Sequence, residues 1–227
     1  MAFLTVFLLA IVVGYPIWDH FYLKKIKAQQ VSKWRMYGEI MAAQWAIVLI
    51  LFLYWKISKR GMNELFVYQK PFLSINKEML LAMGTGVLLA TVMLLLMVRF
   101  VKPVRAKINR MQQVEGIEFL LPKTLKERWL FLFVSITAGV CEEIIFRGAM
   151  VYYLTNCFDQ LPILVIGVIS SILFGVVHLY QGWKGVFLTS YLGMVLFLLF
   201  VGSGSLWLPI LFHFLIDAKF VFWSQKK

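Results

Sequence analysis

Cys141-Glu142-Glu143-Ile144-Ile145-Phe146-Arg147-Gly148 sits inside an apolar run that extends from about Trp129 to Tyr153. A membrane-spanning helix needs about 20 mostly apolar residues, so this run is long enough to be one. Ionisable side chains within a span are costly and persist where they pair or do chemistry. On a helix, Glu143 and Arg147 stand at i and i+4, on one face and within ion-pairing reach. Glu142 is turned by about 100° from Glu143. One carboxylate can therefore pair with Arg147 while the other faces a cavity.

Six further apolar runs flank this one. Three precede it, at about Met1–Trp18, Gly38–Trp55 and Met79–Val98, and three follow it, at Ile163–Tyr180, Val186–Val201 and Ser205–Trp223. The chain has 227 residues, of which 61% are hydrophobic and 15% charged, and its mean hydropathy is +0.81. A soluble domain of that length could not hide so much apolar surface. The expected fold is all-α: a polytopic transmembrane helical bundle of about seven membrane helices, with no sizeable soluble domain. No positive segment precedes the first run and no small-residue cleavage site closes it, so it reads as a retained helix.

Lys and Arg number 23 against 11 Asp and Glu. These cations lie between apolar runs, where they anchor loops and set topology, which argues against nucleic acid as a partner. Lys24, Lys25, Lys27, Lys33 and Arg35 separate runs one and two. Arg99 to Arg128 forms a second basic segment, and the loops after runs four and six carry no cation. The pattern favours an outside N-terminus and a cytoplasmic C-terminus. Lys56, Lys59, Arg60, Lys70 and Lys77 dissent from it. Within Val114 to Arg128, Pro122 and Thr124 predict a short surface helix leading into the fourth span. Cys141 and Cys157 would be about 24 Å apart on one helix. A disulfide needs Cα atoms within about 7 Å, so both read as free thiols.

Two later runs also hold polar groups. The fifth contains Phe174-Gly175-Val176-Val177-His178, and the seventh contains His213-Phe214-Leu215-Ile216-Asp217. His213 and Asp217 are at i and i+4 and can face one cavity. Peptide hydrolysis needs an activated water, a proton shuttle and oxyanion stabilisation. Desolvation raises the basicity of a carboxylate, which suits a general base. Glu142 with His178 could hold and deprotonate water, and His213 could donate to the oxyanion with Asp217 orienting it. Cys141 adjoins the glutamates but points about 100° away, and a thiol nucleophile needs a base within reach. His178, His213 and either Glu142 or Asp217 would make an open three-ligand site of the kind catalytic zinc prefers. No His-Glu-x-x-His motif is present. A divalent metal and a metal-free Glu/His water both remain open at this level. The same residue types would also serve a paired charge inside a bundle or a proton relay.

Together these residues resemble a known family, the type II CAAX prenyl endopeptidases and their bacterial relatives, called CPBP or Abi intramembrane proteases. The resemblance runs from about Leu120 to Asp217. Its first motif, Glu-Glu-x-x-x-Arg, reads Glu142 to Arg147 and is followed by Gly148. Its second, Phe-x-x-x-His, reads Phe174 to His178, and its third, His-x-x-x-Asn or Asp, reads His213 to Asp217. Each motif alone is weak, but all three in order, each in a membrane span, are specific.

The resemblance implies an intramembrane endopeptidase whose site opens toward the cytoplasm. Residues 1–115 would supply N-terminal membrane helices and basic loops, and residues 116–227 the protease core, within a single membrane domain. Glu142 and His178 would activate water, His213 and Asp217 would form the oxyanion hole, and Glu143 and Arg147 would support the site. Asp217 departs from the eukaryotic pattern, which has Asn. An ionised carboxylate cannot donate a hydrogen bond, so Asp217 must be protonated, orient His213 or bind a metal. The resulting expectation is a multi-pass protein of a bacterial cell membrane that cleaves a membrane-associated protein or peptide. The alternatives are a non-catalytic bacteriocin immunity or scaffold protein and, behind it, a proton-coupled transporter.

Overall fold

A computed structural model describes residues 1–29, 31–69 and 120–222, with isolated positions between 78 and 103. The first long helix comprises α1 (Ala2–Leu9) and α2 (Tyr15–Gln29), joined by a π-helical segment at Ala10–Gly14. Pro16 follows that segment. Proline lacks an N–H and clashes with the carbonyl one turn back, and a widened turn accommodates both effects. Next come α3 (Lys33–Ile57) and the short α4 (Asn63–Phe66). The second half holds α5 (Leu125–Glu143), a π-helical segment at Ile144–Met150, and α6 (Val151–Cys157). It continues with α7 (Ile163–Val176), a 3-10 turn (Leu179–Gln181), α8 (Gly182–Ser203), α9 (Trp207–Ala218) and a final 3-10 turn (Lys219–Phe222).

The expected all-α bundle is what the chain forms. Among the described residues, strand-like pairing is confined to an antiparallel bridge between Val67 and Ser205. Four helical stretches are long and apolar enough to cross a membrane: Ala2–Ile26, Lys33–Ile57, Leu125–Cys157 and Leu179–Ser203. They correspond to the first, second, fourth and sixth expected runs. The fifth, α7, has 14 residues, which span about 21 Å, and the seventh, α9, has 12. The third expected run, Met79–Val98, lies outside the described residues apart from isolated positions. So do Lys70, Lys77 and most of the Arg99–Arg110 segment.

Local chemistry fixes the helix ends. Thr124 caps α5 through a full capping box with Glu127, which satisfies two otherwise unpaired N–H groups. Thr124 therefore opens the long helix itself. The described part of the expected surface helix, from Leu120 to Thr124, is a turn. That turn is tied down because Tyr37 Oη donates to the Leu120 carbonyl at 2.5 Å and Lys33 Nζ donates to Leu121 O. Lys33 also sits 3.6 Å from Glu127, so the starts of α3 and α5 share one end of the bundle. The α8 helix stops at Gly204, whose φ of 71° is a left-handed conformation that favours glycine.

One hydrophobic cluster runs through both halves of the chain. Leu4, Leu8, Val48, Leu51, Trp55 and Leu65 pack in it with Phe146, Ala149, Phe174, Phe197 and Phe200. The N-terminal helices are thus part of the core. Helices approach closely where side chains are absent. A Cβ on Gly139 of α5 would stand 3.1 Å from the Phe214 backbone nitrogen on α9, and one on Gly148 would stand 2.9 Å from Leu65 O. Small residues serve membrane helices in this way. The outward face is strongly apolar, with Phe187, Leu188, Tyr191 and Trp207 all exposed, as expected of side chains that meet lipid.

Candidate active site

The first motif lies where α5 passes into its π-helical segment. Glu143 and Arg147 are fully buried, with 0% and 1% exposure. The Arg147 guanidinium donates to Glu143 Oε1 at 2.7 Å and to the Gly193 carbonyl of α8 at 3.1 Å. It also lies 4.2 Å from the centre of the Phe174 ring, within cation–π range. A buried charge needs such pairing, because a lone one is very costly. Their i, i+4 spacing puts these two residues on one face, and they meet there.

Glu143 Oε1 also contacts His213 Nδ1 at 2.7 Å. An ionised carboxylate only accepts, so Nδ1 carries the proton and Nε2 is left for the cavity. Sequence spacing suggested Asp217 as the group that orients His213. In the structure Asp217 Oδ2 stands 3.7 Å from Nε2, while the short contact to the other nitrogen comes from Glu143.

His178 differs from expectation in its backbone setting. The α7 helix ends at Val176, so His178 lies in the turn beyond it. The chain must reverse here to enter α8, and Gly182 with φ 73° completes the reversal. His178 Nδ1 pairs with the Phe174 carbonyl at 2.8 Å. A carbonyl accepts, so Nδ1 donates, and the neutral ring keeps Nε2 as an acceptor. Phe174 thus has three roles: its carbonyl fixes His178, its face takes Arg147, and its ring stands edge-on to His213.

Glu142 diverges from Glu143, as a 100° turn requires. Its Oε1 accepts from Gln44 Nε2 of α3 at 2.9 Å. Its Oε2 is buried without a hydrogen-bond partner. That oxygen lies 3.6 Å from His178 Nε2 and 3.8 Å from His213 Nε2. Glu142, His178, His213 and Asp217 therefore converge, with Glu143 and Arg147 behind them. Cys141 is buried in the hydrophobic cluster, Cys157 is exposed, and both are free thiols.

The two Nε2 atoms and Glu142 Oε2 are the donors a metal would use. Among the described residues no group of three or more His, Cys, Asp or Glu is arranged to hold one.

Two residues in this region were not singled out from the sequence as part of the site. Gln44 is a lone amide in the second apolar run, and its neutrality made it inconspicuous. Asp19 of α2 is 8% exposed, buried within electrostatic reach of Glu142, although it reads as the polar end of the first run.

Residues 124–218 match the family model described as Type II CAAX prenyl endopeptidase Rce1-like. The match opens on the α5 cap and closes on the last residue of α9, and all three motifs fall inside it. No curated protein and no solved structure matches the chain.

Proposed function

We propose that the chain, whose residues 124–218 match the type II CAAX prenyl endopeptidase model and which we read as a CPBP family membrane protease, hydrolyses a peptide bond of a membrane-associated protein or peptide by means of a water activated by Glu142 and His178. The observation that carries this reading is the unpartnered Oε2 of Glu142, 3.6 Å from an acceptor nitrogen on His178. A water between them would donate one hydrogen to each and present its lone pair outward.

The reaction balances with these groups. Glu142 takes a proton as the water oxygen attacks the scissile carbonyl carbon. The carbonyl oxygen becomes the oxyanion, which His213 Nε2–H meets when the ring holds both protons. The Glu143 carboxylate against Nδ1 offsets that charge. The proton on Glu142 then passes to the departing amide nitrogen as the C–N bond breaks. General acid–base help of this kind contributes about 10²- to 10⁴-fold, and an oxyanion donor about 10²- to 10³-fold. Asp217 lies beside His213 Nε2 and would complete the oxyanion site in its protonated form, since only that form donates. Glu143 and Arg147 hold His213 in place. The basic ends of α2, α3 and α5 favour a cytoplasmic location for that end of the bundle in a bacterial membrane.

The test is N-terminal labelling of membrane fractions from cells that express either the wild-type protein or Glu142→Gln. New peptide termini should arise with the wild type only. Identical sets of termini would overturn the protease reading and favour a non-catalytic immunity or scaffold role.

A further inference from the structure

Gln44 lies in the middle of α3, before the stretch that matches the protease family. It is 6% exposed. Its Nε2 stands 2.9 Å from Glu142 Oε1, and among the described residues this is the hydrogen bond that Glu142 receives. The carboxylate is an acceptor, so the amide NH₂ must face it. Gln44 Oε1 therefore turns away, and it is buried without a hydrogen-bond partner. Burying half an amide unpaired is unfavourable. An apolar side chain at this position would instead leave Glu142 Oε1 without its donor, so the amide serves the carboxylate at the expense of its own oxygen.

Glu142 has many polar neighbours. Cys141, Glu143 and Arg147 lie on its own helical stretch, Tyr15 and Asp19 on α2, His178 and Tyr180 in the turn after α7, and His213 and Asp217 on α9. The last torsion of a glutamate is broad and roughly two-fold. Without a donor on one oxygen, the carboxylate could turn about that torsion and carry Oε2 out of line with His178 and His213.

We propose that Gln44 is a positioning residue for the water-activating carboxylate: by donating to Glu142 Oε1 it holds the headgroup so that Oε2 faces His178 and His213. The inference rests on the reading of Glu142 as the base. It makes α3 a working wall of the active site, although the family match begins at Thr124.

The test uses the full chain in proteoliposomes and the peptide cleaved fastest in the labelling experiment. Gln44→Met keeps the length and removes the donor. It should lower kcat by about 10- to 100-fold, the scale on which small misplacements act, with KM within about two-fold. Glu142→Asp withdraws the carboxylate from Gln44 by one methylene. In that background Gln44→Met should cost less than about two-fold, because the two residues act as one unit. A purely packing role would instead lower the rate equally in both backgrounds, and that result overturns the inference, as does a Gln44→Met rate equal to wild type. If Gln44→Met does not accumulate as folded protein, Gln44→Asn, one methylene short of Glu142, takes its place in the same cycle. An inactive Glu142→Gln with additive losses removes the role of Gln44 alone. A fully active Glu142→Gln removes the assignment of the base, and the inference with it.

Discussion

His213 Nδ1 lies 2.7 Å from Glu143 Oε1, the same oxygen that takes the Arg147 guanidinium at 2.7 Å. One buried carboxylate oxygen thus joins α5 to α9, and it leaves the other His213 nitrogen to the Glu142 side of the site. The adjacent glutamates thus face different partners.

Removing either member of the Glu143–Arg147 pair should destabilise the protein. Glu143→Ala leaves the guanidinium buried without its carboxylate, and a broken buried pair costs about 3–5 kcal/mol. Arg147→Lys should recover only part of the stability, because a lysine cannot serve carboxylate, carbonyl and ring at once. Thermal unfolding in detergent measures both. A melting temperature unchanged in Glu143→Ala would contradict the pairing.

His178 makes the opposite prediction. Among the described residues its ring makes one hydrogen bond, to the backbone carbonyl of Phe174, so His178→Gln should unfold at nearly the wild-type temperature. Its cleavage rate should fall by about 10²-fold or more, as loss of a proton-handling group requires. Parallel loss of stability and rate would make the residue structural.

Glycine substitutions separate close helix contacts from open space. A Cβ at Gly139 would press on Phe214 and Ile210 backbone atoms at 3.1–3.3 Å, and α9 would have to move with His213. Gly139→Ala should cost about 1–3 kcal/mol, the range for overpacking, and should also lower activity. Gly38→Ala meets nothing within 4 Å and should be neutral or stabilising by up to about 1 kcal/mol, from helix propensity. Equal effects at the two positions would sink the packing account.

Asp217 can be tested by isosteric exchange. Asn donates a hydrogen bond at every pH, whereas Asp donates only when protonated. Asp217→Asn should therefore keep or raise the cleavage rate, and Asp217→Ala should lower it by about 10²-fold, as for a lost oxyanion donor. If Asp217→Asn and Asp217→Ala are equally impaired, the negative charge is what matters and the donor role falls.

Much of this was legible in the sequence because two rules act locally. Twenty-residue apolar runs report membrane helices, and i, i+4 spacing placed Glu143 on Arg147 and kept Glu142 apart from it. What spacing could not supply were contacts between distant helices. Nothing local says that Glu143 would reach His213, 70 positions away, or that Gln44 would cross 98 positions to Glu142. His178 was expected within a span because the apolar run continues to Tyr180. The backbone leaves the helix at Val176, and hydrophobicity does not mark that turn.

The most direct test of the account is the cleavage rate of Glu142→Gln in proteoliposomes, alongside its unfolding temperature. Glutamine preserves shape and removes the base. The account predicts a folded protein, with a melting temperature close to wild type, whose cleavage rate is lower by about 10³-fold or more, within reach of general-base loss. A folded Glu142→Gln protein that cleaves at the wild-type rate would contradict it.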